Sequence, residues 1–146
     1  MIELLVVMAI LGILAVVGLS SFRTSQAKSR DAKRKSDLEQ IQRALEMYNN
    51  DHGSYPASGV LVWGEEFTDP DGDTVYMAEL PEDPSVNLDY CYQSPADPLV
   101  SSVSYQLYAT LENSQDPRCL GGNCTPATSC GTGTYNYGVS SSNTTP

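Results

Sequence analysis

Residues 2–19 read Ile-Glu-Leu-Leu-Val-Val-Met-Ala-Ile-Leu-Gly-Ile-Leu-Ala-Val-Val-Gly-Leu, an apolar run that carries one carboxylate, Glu3. Its density predicts a helix over 2–22. At about 1.5 Å rise per residue such a helix spans or nearly spans a bilayer. An ionised carboxylate near its end is costly in lipid and marks a partner. A plain membrane anchor has no use for Glu3. A helix that leaves the membrane and packs against copies of itself does.

Gly12 and Gly18 are the weak points of that helix, each costing roughly 1 kcal/mol relative to alanine in a helix interior. They also permit close helix–helix approach. Past them, Leu19-Ser20-Ser21-Phe22 holds no proline, and at Arg23 the chain turns abruptly from apolar to basic.

The segment Met1-Ile2-Glu3-Leu4-Leu5-Val6-Val7-Met8-Ala9-Ile10-Leu11-Gly12-Ile13-Leu14-Ala15 resembles the N-terminal methylation motif of type IV pilins and type II secretion pseudopilins. Weaker likeness continues in Gly53-Ser54-Tyr55-Pro56 and in Leu80-Pro81-Glu82-Asp83-Pro84 ahead of a tyrosine-rich strand. The resemblance implies a subunit inserted in the inner membrane, processed by a prepilin peptidase, and drawn by assembly machinery into a helical filament of identical chains. It implies that Glu3 neutralises the N-terminal ammonium of a neighbour, and that the helix unwinds near Gly12 and Gly18 on assembly. The family's precursors carry a basic leader ending in Gly before the mature start. Here Met1 stands directly before Ile2, so the leader and first mature residues are expected to be missing.

Charge is divided along the chain. Net charge is −10, yet seven of the eight Lys/Arg lie between Arg23 and Arg43. Residues 44–146 hold fourteen acids and one base, Arg118. An acidic head disfavours nucleic-acid binding. Lys/Arg beside an apolar segment ordinarily mark its cytoplasmic side; the family likeness instead places this stretch outside the cytoplasm, facing the acidic heads of neighbouring subunits.

From Arg23 to the region of Asp51 the pattern is amphipathic. Phe22, Leu38, Ile41, Leu45 and Tyr48 carry the apolar side, the last four at steps of 3, 4 and 3, and predict a stripe buried against a sheet. Asp37 and Arg43 fall elsewhere and read as solvated charges. Lys28, Arg30, Arg34 and Lys35 make the middle basic and poor in apolar residues, a section expected to be exposed in a monomer and covered in a filament. Gly53 supplies the stop, and Pro56 ends any continuation.

Beyond it, 53–80 is loop-rich. Strands are expected in Leu88–Gln93, Ser104–Leu111 and Tyr135–Val139, joined through the turn at Ser94–Pro98 and a Gly/Asn/Pro/Cys-rich loop over 113–134. The fold class is therefore α+β: one long N-terminal α-helix with a small antiparallel β-sheet head. Its parts are 1–22, a transmembrane or fibre-core helix; 23–52, the amphipathic half of the same helix; and 53–146, a β-rich head with a disulfide loop.

Four cysteines, Cys91, Cys119, Cys124 and Cys130, lie in that head. An even count outside the cytoplasm reads as two disulfides. The spacing lacks the paired pattern of a zinc site, and the only histidine, His52, is remote. Three connectivities remain open, and any full pairing puts one bond within 119–130 and tethers Cys91 to the third member.

Asp69, Asp71 and Asp73 place carboxylates at alternate positions, as a calcium loop would, but Gly72 is out of register for an EF-hand, no bidentate Glu is in register, and a solvated acidic turn is the preferred reading. His52 suits the negative end of the helix dipole. Asn123-Cys-Thr and Asn143-Thr-Thr fit the glycosylation sequon. Most of the nine tyrosines read as sheet-face residues, with exposed ones available for adhesion. No nucleophile–base order, phosphate-cradling glycine loop or zinc-protease motif is present, so the chain is expected not to be an enzyme and to need no cofactor. The leading expectation is a structural subunit of a type IV pilus-like surface filament. The alternatives are a major-type pseudopilin of a type II secretion system and a monomeric membrane-anchored adhesin.

Overall fold

The computed structural model describes residues 2–95, 102–122 and 124–146, without the side chains of 16–20. Helix α1 runs unbroken over Ile2–His52. It ends where the sequence predicts: Gly53 takes a left-handed φ of 70°, and its N–H donates to Asn49 O at 2.7 Å. Glycine adopts that conformation without a Cβ clash.

The head is built from short strands: β1 (Phe67–Thr68), β2 (Val75–Met77), β3 (Cys91–Gln93), β4 (Gln106–Ala109), β5 (Thr128–Cys130), β6 (Gly133–Tyr135) and β7 (Tyr137–Ser140). They form a three-stranded antiparallel sheet in the order β3-β4-β7 and two separate hairpins, β1-β2 and β5-β6. The arrangement is α+β, with the single sheet resolved into one sheet and two ribbons. The expected strand Tyr135–Val139 is split because Asn136 is buried between β6 and β7. Its side chain accepts from Leu111 N at 2.7 Å and donates to Leu111 O and Cys124 O. At Asn136 the chain thus changes partner from β5 to β4. The turn expected at Ser94–Pro98 falls partly outside the described residues.

Of the expected stripe, Leu38, Ile41, Leu45 and Tyr48 are buried against β2, β4 and the loops around them, whereas Phe22 is exposed, lying about four turns nearer the N-terminus than Leu38. All nine tyrosines are buried, which corrects the expectation that some stand exposed for adhesion. Buried tyrosine needs a partner for its hydroxyl. Here Tyr90 donates to Asp37, Tyr76 to Asp51 and Tyr55 to Glu46, all three carboxylates on α1. Each ring thereby packs in the core while its tip fastens the helix. Asp37 is accordingly buried rather than solvated; Arg43 is exposed, as expected.

The disulfides are Cys91–Cys130 and Cys119–Cys124. The first ties β3 to β5. The second closes a small loop around the 3₁₀ turn Leu120–Gly122.

Candidate assembly surface

The described side chains in the N-terminal part of α1 stand exposed, away from its own head. Ile2, Leu4, Leu5, Met8, Ile10, Leu11, Ile13 and Leu14 are all exposed, Ile2 at 79 %. So much contiguous apolar surface is unstable in water and requires lipid or other helices. Glu3 is exposed within it. A Cβ placed on Gly12 would meet nothing within 4 Å, so its small size serves no contact within the chain. The surroundings of Gly18 lie outside the described residues. Among those residues no helix is long and apolar enough to cross a membrane; the expected span 1–22 passes through 16–20, whose side chains are not described.

The basic middle of the helix does not stand free of its head. Arg34 is fully buried. Its Nε and Nη2 both donate to the Asp83 carboxylate, at 2.7 and 2.9 Å. Its Nη1 donates to Asp31, one turn back, at 2.7 Å, and Nη2 lies 2.9 Å from Glu112. Asp31 in turn accepts from the backbone N–H of Glu112 and Asn113. Arg30 makes a two-point contact with Glu112, and Lys35 pairs with Asp116. Two loops of the head, 83–85 and 112–116, are therefore clipped to α1 by ions. This corrects the expectation that the section stays uncovered in a single subunit.

The clip was legible in part. Arg34 stands one helical step before Leu38, on the line that continues through Ile41, Leu45 and Tyr48. Asp31 is its i,i+3 neighbour. Only the partners from the head were beyond reach.

Electrostatics follow from these contacts. The hydrogen bond from Arg30 holds the Glu112 carboxyl down to about 2. Burial raises Asp116, but the hydrogen bonds from Lys35 and from the Arg118 backbone outweigh it, and the carboxyl is lowered. Burial disfavours the Arg34 cation, but its carboxylate partners dominate and hold it protonated. Asp37 goes the other way: burial raises it, only partly offset by the Tyr90 hydroxyl.

The remaining sequence candidates are not drawn into a common site. Asp69, Asp71 and Asp73 sit on the turn joining β1 and β2. There the Asp69 carboxylate accepts from the Asp73 N–H at 2.9 Å, and Gly72 takes a φ of 79°. Among the described residues no group of three or more His, Cys, Asp or Glu side chains is placed to hold a metal. His52 stacks on Tyr48 at 4.2 Å between ring centres. Asn143 spends its amide on Val103 O, and Asn123 lies outside the described residues.

The geometry therefore offers a clipped α+β subunit with an unpartnered apolar helix, and comparison with known proteins agrees. The model of the family described as type II secretion system (T2SS), protein G, matches residues 22–110. That segment begins where the apolar run ends, so the match is independent of the N-terminal motif. The type II secretion system core protein G of Vibrio cholerae serotype O1 is 33 % identical over 103 residues, covering 66 % of this chain and 70 % of that protein. No solved structure matches. Cys119, Cys124 and Cys130 lie beyond the matched family segment. The chain belongs to the type II secretion system protein G family, within the pilin and pseudopilin group.

Proposed function

We propose that this chain is the major-type pseudopilin of a type II secretion system, a structural subunit without catalytic chemistry. The observation that carries the reading is the family match over 22–110. It favours the secretion alternative over a type IV pilus of the cell surface. The burial of every tyrosine removes the feature that had supported an adhesin.

In this reading the subunit waits in the inner membrane on its apolar helix. A prepilin peptidase processes and methylates it, and secretion machinery draws it into a periplasmic filament. Apolar burial and van der Waals contact hold the bundled helices together. Glu3 meets the N-terminal ammonium of a neighbour. An unpaired charge is expensive in such a core, so this pairing fixes axial register more than it adds stability. Gly12, with open space around it, lets helices approach closely.

Deleting the chain from its host tests the reading. Exported proteins should accumulate in the periplasm and disappear from the medium, while surface pili and twitching remain. Glu3→Leu should restore membrane insertion but not export. Normal export without the chain, or loss of surface pili in its place, overturns the proposal.

A further inference from the structure

An open groove runs along α1 between the helix and the 112–118 segment. Its two adjoining parts enclose about 480 and 390 Å³ and share Lys28. Arg23, Lys28 and Arg118 line it, and none of the three lies within ion-pair distance of a carboxylate among the described residues. Lys35 and Arg30 are already committed to Asp116 and Glu112. Glu39 also lines it and likewise makes no ion pair among the described residues, so three such cations face one such carboxylate, and the groove keeps an excess of positive charge in a chain of net charge −10.

The opposite charge is presented by the β1–β2 turn. Asp71 and Asp73 are exposed on it, and the turn is braced from within. Gly72 N–H donates to Asp69 O at 3.1 Å, and Asp69 N–H donates to Thr74 O at 3.0 Å. A tip ordered in advance loses little freedom on docking. It cannot reach its own groove. Tyr76, in β2, packs on Tyr48, whereas the groove is centred near Lys28. Twenty residues of helix separate the two positions, about 30 Å at 1.5 Å per residue.

We infer that the acidic tip Asp69–Asp73 of one subunit docks in the basic groove of a second copy displaced along the helix axis. The inference rests on the filament reading above and names the contact within it. Tip and groove are different patches, so the contact is head-to-tail. Contacts of that kind propagate into open helical arrays rather than closed dimers. Opposite charges also fix which neighbour is accepted and in what register.

The test uses the full chain in its host, with Asp71→Cys and Lys28→Cys introduced together and oxidant added to intact cells. A ladder of cross-linked multimers is expected from the double variant and not from either single variant. In separate strains, Asp71→Lys with Asp73→Lys, or Arg23→Glu with Lys28→Glu, should each cut multimer yield about tenfold, and all four together should restore it to within about threefold. Absence of the ladder overturns the inference. So does cross-linking of the Lys28→Cys variant to a different protein, or failure of the combined reversal to restore assembly. Because the ladder is read without secretion, a ladder in cells whose export does not depend on the chain would sink the secretion reading and leave this contact standing.

Discussion

Arg34 is the residue on which the subunit's shape most depends. It is the largest fully buried side chain among the described residues and joins α1 to two loops through Asp83, Asp31 and Glu112. A buried ion pair adds little over an apolar substitute, but removing one partner strands the others. Arg34→Ala should lower unfolding free energy by about 3–5 kcal/mol in a urea titration, and Arg34→Lys should rescue it poorly because lysine cannot make the two-point contact with Asp83. A loss under about 1 kcal/mol would contradict the clip. The same cluster sets the acid response. Glu112 is held at about 2 in the fold against an ordinary 4.5. Below the ordinary value the unfolded chain takes up a proton that the folded chain refuses. Its stabilisation is therefore complete above about 4.5 and lost as pH falls toward 2. Asp116 adds to this trend, and Asp37, raised by burial, opposes it. Glu112→Gln should be less stable than the parent near neutral pH and show a shallower decline in acid. Parallel pH profiles would rule Glu112 out.

At the scale of elements, the two disulfides differ in the chain they enclose, with sequence separations of 39 and 5 residues. Loop-closure entropy then assigns about 4 kcal/mol to Cys91–Cys130 and about 2 kcal/mol to Cys119–Cys124. Paired serine substitutions, followed by thermal or urea unfolding, should rank in that order; the reverse order would mean that native packing around the small loop dominates. How far these elements could be read in advance varied with the kind of signal. The helix, its stop at Gly53 and the stripe from Leu38 to Tyr48 follow from periodicity and glycine chemistry, both local. Three cysteines within 119–130 forced one local bond, while the choice of Cys124 for Cys119 needed the fold. Asp37 and Arg34 misled because a charge on a helix is buried only if the head supplies a partner, and Tyr90 and Asp83 are distant in sequence. The break at Asn136 was illegible for the same reason, since its partners Leu111 and Cys124 meet it only after folding.

The molecule has a head with its own core and an apolar helix whose described side chains stand exposed. Removing residues 1–22 leaves the core, the Arg34 clip and both disulfides in place. The shortened chain should be soluble and monomeric, unfolding in one cooperative transition with Tm within a few degrees of the detergent-solubilised full chain. Aggregation, or absence of a cooperative transition with the disulfides formed, would show that the head depends on the apolar helix or on neighbours. In the proposed filament this exposed helix is buried among copies of itself. Electron cryomicroscopy of filaments sheared from cells overproducing the chain tests that most directly. The account predicts filaments of this subunit alone, with helices 2–22 bundled on the axis, Glu3 against a neighbour's N-terminus and the disulfide-bonded heads outside. Filaments that lack the chain, or that hold its apolar helix away from the axis, would contradict it.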